Sequence, residues 1–252
     1  MKTFTPYAPQ IPAPPPQSIP ITAPVACAAF ALPLIRPGMR LLDCGCGSGA
    51  TTLALAERVR PGGIIGIDIQ IAGLEAAHSK AQERGLNAAF IEAHVDALPF
   101  GPAQFDGIFA HGLFEHLMHP TQVLRELRRV MKPGAFIALR SLDWGGFVME
   151  PYDEGVATAL DSCRHQFIQK NGDAHAGRKL GTWLRGAGFH HITPSASYEM
   201  HSANSPTMHA FLQTLEIAED DTAATQLRQW MTRPGATLAQ SWFEAVGWKP
   251  WI

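Results

Sequence analysis

The chain has 252 residues, 46% of them hydrophobic, enough to bury one sizeable core. Twenty basic against 22 acidic residues leave a formal charge of −2, which argues against nucleic acid as the main partner, since phosphate binding needs a basic excess. No apolar run approaches the ~18 residues of a membrane span, no export signal core opens the chain, and four scattered cysteines form neither a disulfide framework nor a zinc spacing, so a cytoplasmic protein is expected.

Residues 1–36 read as an arm ending in a short helix. Eight prolines between Met1 and Pro24 forbid a helix or a sheet interior there. Phe4 and Tyr7 are its anchors if it straps a pocket mouth, Tyr7 then lining the substrate. Val25–Leu32 reads as the helix, opened by Pro24 and closed by Pro33. Residues 37–252 read as a single domain. Met39–Asp43 is a first strand, running into Cys44-Gly45-Cys46-Gly47-Ser48-Gly49 and then a helix to about Arg60, broken by Pro61-Gly62-Gly63. Cys44 and Cys46 are small residues packed under the loop. Ile64–Asp68 is a second strand of the kind buried on both faces, and Ala72–Arg84 a helix stopped by Gly85. Ala88–Glu92 and Phe105–Ala110 are strands three and four. Pro120–Met131 is strongly amphipathic, with Val123, Leu124, Leu127 and Val130 on one side, and Lys132-Pro133-Gly134 separates it from a fifth strand at Ala135–Leu139.

Alternation at this pace means βαβ units: an α/β fold with a mostly parallel sheet covered by helices on both faces. Beyond Arg140 the pattern loosens. Residues 141–174 and 203–238 read as insertions that cap a substrate site, with helices near Asp153–Lys170, Thr207–Ile217 and Asp221–Met231. Between them come a helix at Arg178–Arg185 and a β-prone run at Phe189–Tyr198. Ser241–Trp248 fits a strand or a helix equally.

A strand that stops at glycines before a helix presents backbone N–H groups at a positive helix end, a nucleotide-type pocket. The glycines fall as G-x-G-x-G, lacking the third position of a dinucleotide fingerprint, and no G-K-[ST] supports a P-loop. Asp43 stands where it repels a pyrophosphate. Asp68, ending strand two, is placed to take ribose hydroxyls, and Asp96, after strand three, an adenine amine. Three carboxylates without a phosphate-seeking Lys or Arg select a cationic nucleoside, S-adenosylmethionine.

The runs Leu41–Gly49, Gly66–Asp68, Val95–Phe100, Phe105–Ala110 and Arg129–Ala135 stand in the order seen in class I S-adenosylmethionine-dependent methyltransferases, and the chain resembles their small-molecule group, methyltransferase type 11 or UbiE-like. Ala135 departs from the usual second glycine of its turn. The resemblance implies a Rossmann-like seven-stranded sheet in the order 3-2-1-4-5-7-6, strand seven antiparallel. It implies that Asp43 and Gly45 hold the methionine portion, with Gly47 and Gly49 permitting its approach. Asp68 takes the ribose, Ile69 packs on the adenine, Asp96 and Ala97 meet the adenine amine, and Ala110 and His111 lie by the sulfonium.

Methyl transfer in line with the S–CH₃ bond draws on proximity and orientation, and a base is needed only for a protonated acceptor. His111, at the carboxyl end of strand four, is the candidate base. Glu115, Asp143 and Trp144 are the further candidates for lining the acceptor. A metal at Glu115, His116 and His119 is not expected, because neighbouring helix positions point apart. His190 and His191 are read as edge residues, and the aromatic residues at 183, 211, 230, 242 and 243 as core. The expected activity is methylation of a small molecule at O, N or C, with S-adenosylhomocysteine as product, no nucleic acid partner, and a homodimer left open. The alternative is a protein that binds the cofactor without transferring methyl: a scaffold, a regulatory subunit or a cofactor-assisted cyclase.

Overall fold

The computed structural model describes residues 23–70, 74–206, 208, 209, 211 and 222–251. The proline-rich arm with Phe4 and Tyr7, and most of the helix read at Thr207–Ile217, lie outside the described residues.

The parallel half of the sheet alternates with helices: β1 (Arg40–Cys44), α2 (Ala50–Val59), β2 (Gly63–Asp68), α3 (Leu74–Glu83), β3 (Ala88–Glu92), β4 (Phe105–His111), α4 (Pro120–Val130) and β5 (Met131–Leu142), preceded by a single helical turn, α1 (Ala23–Ala26). There follow β6 (Val148–Glu150), α5 (Glu154–Gln169), α6 (Ala176–Gly186), β7 (His190–Ser202), α7 (Thr222–Met231) and β8 (Thr237–Trp248). The strands lie in the order β3-β2-β1-β4-β5-β8, with β7 on the far edge of β8. β1 to β5 pair in parallel, and β8 runs antiparallel to both β5 and β7. That is the implied order, with β8 and β7 in the places of strands seven and six. β6 is an addition, paired with the first residues of β8 beyond the end of β5.

One boundary differs from the pattern reading, and the fold defines two further features. The first helix is one turn long, and after it the bonds are i→i+3 (Ala28 N–H to Val25, Ala31 to Ala28, Leu34 to Ala31), which keeps the segment in tight turns that still bury Ala28 and Ala31. Ser241–Trp248 is strand: flanked by β5 and β7, it satisfies its backbone from both sides and so tolerates a nearly continuous apolar sequence. His190 and His191 both face solvent because His191 takes φ 49° where the β7 register shifts, which cancels the alternation.

Two cores sandwich the sheet. On one face Leu42, Ile108, Ile137 and Leu139 pack against Val123, Leu124 and Leu127 of α4 and Leu180 and Leu184 of α6. On the other, Leu41, Ile64, Phe109 and Ala138 meet Leu53, Leu55, Ala56 and Val59 of α2 and Ala81 of α3. The amphipathic reading of α4 therefore predicted the face it buries. A third cluster stands apart: Val156, Leu160 and Cys163 of α5, Leu227, Trp230 and Met231 of α7, with Met208, Phe211 and Leu238. Asp153 caps α5 by accepting the Val156 N–H at 3.1 Å. No helix among the described residues is long and apolar enough to cross a membrane.

Trp230 is fully buried in that third cluster, and its indole N–H donates to the Pro151 carbonyl at 2.9 Å. A Trp230→Ala substitution is expected to destabilise this cap by ~3–5 kcal/mol. Hydrogen exchange should then rise in α5 and α7 while β1 and β4 stay protected. Equal loss of protection in all four elements would contradict a separate cap core.

Candidate active site

The carboxyl ends of β1, β2 and β4 meet at the glycine loop, where open α/β sheets place their ligands. The loop folds back over β2: the Gly45 and Cys46 N–H groups both donate to the Ile67 carbonyl, at 2.8 and 3.0 Å. The Gly47 N–H donates to the Asp68 carboxylate at 2.8 Å, and the other Asp68 oxygen takes the Gln70 N–H at 3.0 Å. Gly49 starts α2 with φ 72°, and a Cβ there would stand 2.6 Å from both the Ala77 side chain and the Phe90 ring. Glycine is obligatory there on two counts, conformation and close approach. Gly47, at φ 50°, has nothing within 4 Å of where a Cβ would project, so its positive φ opens onto free space.

Asp43 lies beneath the loop, 2% exposed, and accepts the Thr52 hydroxyl at 2.6 Å. Burial, helped by the nearby Asp68 charge, raises its pKa from 3.8 to about 7 despite the Thr52 hydrogen bond. The same burial pushes Cys46 up to about 12 and Cys44 well above the ordinary thiol value, so both stay protonated and pack as small residues. Ile69 beside Asp68 is an exposed aliphatic, 58% accessible. Asp96 and Ala97 are exposed beyond β3, and the Ala97 N–H is already given to the His94 carbonyl at 3.2 Å. Ala110 is buried at the end of β4, while His111 next to it is half-buried.

His111 stands against a neighbour that the sequence reading passed over. Arg140, paired with it across β4 and β5, brings a guanidinium nitrogen within 3.4 and 3.5 Å of the two imidazole nitrogens. Burial first, and then this cation, lower the His111 pKa to about 3. Taking up a proton there would set two cations side by side. His111 is thereby held as a neutral imidazole of low basicity, which weighs against the general-base expectation, with Trp242 4.5 Å away between ring centroids.

Two of the expected acceptor-lining acids are committed elsewhere. Asp143 is fully buried, clasped by two Arg178 nitrogens at 2.6 Å and by the Gly145 N–H at 2.9 Å; burial works against its ionisation, but Arg178 and these bonds hold its carboxyl below the ordinary range. Glu115, 4% exposed, accepts the Ser141 hydroxyl at 2.7 Å, and burial raises its pKa. Asp143 ties the turn after β5 to α6, and Glu115 ties the turn after β4 to β5. Trp144 stacks at 5.5 Å on Phe147 and at 6.0 Å on Phe167, at the edge of a cap groove of about 380 Å³ lined also by Met149, Tyr152 and Leu160. Among the described residues no group of three His, Cys, Asp or Glu could hold a metal ion.

The sequence reading missed Thr52, Arg140 and Glu244 and counted Trp242 as core. A charged residue directly after the apolar run Ala135–Leu139 was the one available signal for Arg140.

Residues 35–188 match the family model described as a methyltransferase domain. The chain is 33% identical over 137 residues to 27-O-demethylrifamycin SV methyltransferase of Amycolatopsis mediterranei, covering 53% of this chain and 47% of that one. It is 26% identical over 171 residues to the ubiquinone/menaquinone biosynthesis C-methyltransferase UbiE of Bordetella parapertussis, covering 63% and 66%. The YcgJ protein of Bacillus subtilis shares the fold with a TM-score of 0.63 at 18% identity, over 88% of this chain and 97% of that one. The chain spans about half the length of the first curated relatives it matches.

The pH dependence of stability follows from Asp43. Its carboxyl ionises at 3.8 when unfolded and at about 7 when folded, so between those values the folded chain holds one proton more. Stability from this group is full below pH ~4 and falls as pH rises to ~7, by about 4 kcal/mol at most. In the absence of cofactor, an Asp43→Asn chain should lose that slope and melt several degrees above wild type at pH 8, converging near pH 4. Parallel melting curves across the range would exclude a buried, reluctantly ionised Asp43.

Proposed function

The chain belongs to the methyltransferase domain family, and on that premise we propose that it transfers the methyl group of S-adenosylmethionine to a small-molecule acceptor. The observation that carries the reading is the open space over Gly47 between two carboxylates, Asp43 below and Asp68 beside it. A backbone cradle flanked by negative charge suits a cationic nucleoside and disfavours a pyrophosphate. The exposed face of Ile69, next to Asp68, supplies an apolar surface for the adenine.

When bound, S-adenosylmethionine supplies an electrophilic methyl on a sulfonium. Asp43 and the Gly45 backbone hold the amino-acid portion, Asp68 accepts the ribose hydroxyls, and Asp96 with the Ala97 backbone frames the adenine edge. Asp43 is held half-ionised near neutrality by burial, so a cation beside it favours its charged form and draws off its proton. Ala110, small and buried, leaves room at the end of β4, and neutral His111 adds no positive charge against an approaching cation. Catalysis then rests on position: the strand ends fix donor and acceptor in line, and water is kept out. With His111 unable to keep a proton, the acceptor reaches the site already ionised or with a free lone pair.

Incubation with S-adenosylmethionine and an acceptor panel should release S-adenosylhomocysteine, read by chromatography. Tight cofactor binding without any release across the panel would favour the non-transferring alternative. Asp68→Ala removes a charged acceptor worth ~1.5–3 kcal/mol, so calorimetry should show S-adenosylmethionine affinity falling about 10- to 100-fold. Unchanged affinity would remove Asp68 from the ribose position.

A further inference from the structure

Arg140 is the anomaly of the molecule. Its side chain is 6% exposed, yet it lacks the partners that a buried guanidinium normally collects. Arg178 clasps Asp143 with two nitrogens, and Arg129 binds both oxygens of Glu126 and two backbone carbonyls. At Arg140 the Nε has no hydrogen-bond acceptor. Nη1 reaches the two ring nitrogens of His111 only at 3.4 and 3.5 Å, long for hydrogen bonds. Glu244 approaches Nε only to 3.6 Å. Its two oxygens already accept the Ser195 and Ser197 hydroxyls at 2.7 and 2.6 Å.

What holds the guanidinium is stacking. Its carbon lies 4.3 Å over the centre of the Trp242 ring, with His111 on the adjoining side. The Trp242 Nε1 is itself a buried donor without an acceptor. Stacking orients the planar fork, and Glu244 offsets the buried charge from 3.6 Å without accepting the Nε–H, so this edge of the guanidinium is left without a hydrogen-bond acceptor.

The location gives this a purpose. Strand alternation puts Arg140, His111 and Glu244 on the same face as Asp43, toward the carboxyl ends of neighbouring strands. From β1 to β5 is two strand spacings, about 10 Å, the span of donor plus acceptor. We propose that Arg140 recognises a carboxylate carried by the methyl acceptor, an inference that rests on the transferase reading above. A carboxylate matches the fork in two parallel hydrogen bonds, where a neutral amide offers one acceptor and a misplaced donor. Trp242 and His111 are then positioning residues that keep the fork planar and aimed.

The test uses the full chain saturated with S-adenosylhomocysteine and three probes, benzoate, salicylate and 4-hydroxybenzoate, each against its carboxamide. Calorimetry should show at least one carboxylate binding tenfold or more tightly than its carboxamide, and Arg140→Met should abolish the difference. Arg140→Lys keeps the charge without the fork and should retain only part of it; this variant decides the matter if Arg140→Met does not fold. Carboxylate and carboxamide binding alike, no probe binding at all, or an undiminished preference in the variants would overturn the proposal. Failure of S-adenosylhomocysteine itself to bind would instead bring down the transferase reading, so the two failures are distinguishable.

Discussion

The rest of the site depends on the fold-back of Gly45–Gly49 onto the end of β2. Two N–H groups converge on one carbonyl, Ile67, and a third is taken by the Asp68 side chain. This pins the loop to the neighbouring strand and fixes where α2 begins. Gly49 admits the close approach of α3 and β3 that the arrangement needs. Asp68 thus anchors the loop through one oxygen and the chain after β2 through the other. Asp43, Thr52 and the protonated thiols of Cys44 and Cys46 fill the space beneath.

Charge is distributed unevenly across the sheet ends. On the β1–β2 side stand two carboxylates, one of them raised by burial to about 7. On the β4–β5–β8 side stands a buried guanidinium beside an imidazole whose pKa burial first, and then this cation, lower to about 3. The two ends of the sheet thus carry charge of opposite sign. The neutrality of His111 belongs to this pattern, since a proton there would repel both the donor and Arg140.

The segments after β5 serve architecture more than chemistry. Asp143 with Arg178 attaches the turn after β5 to α6, and Glu115 with Ser141 attaches the turn after β4 to β5. The cap then builds its own core around Trp230, joined to the sheet through β6 and the first residues of β8.

The sequence alone determined the elements and the donor. Apolar runs, glycine stops and the stripe on α4 are local patterns, and each βαβ unit is built from residues close in the chain. Asp43, the glycines and Asp68 were legible because a strand, its loop and the next strand end lie within 26 positions of one another. What only the tertiary structure decided lies in pairings distant in sequence. Asp143 was read as facing the ligand because it follows a strand; its partner Arg178 is 35 residues away and turns it inward. His111 was read as a base from its place on β4, but burial and, after it, Arg140, 29 residues on, lower its pKa to about 3. Trp242 and Glu244 reach the same point from the last strand, whose very identity as strand depended on the two neighbours that flank it. Local propensity can specify an element, whereas a side chain's charge state and accessibility depend on what the fold packs against it.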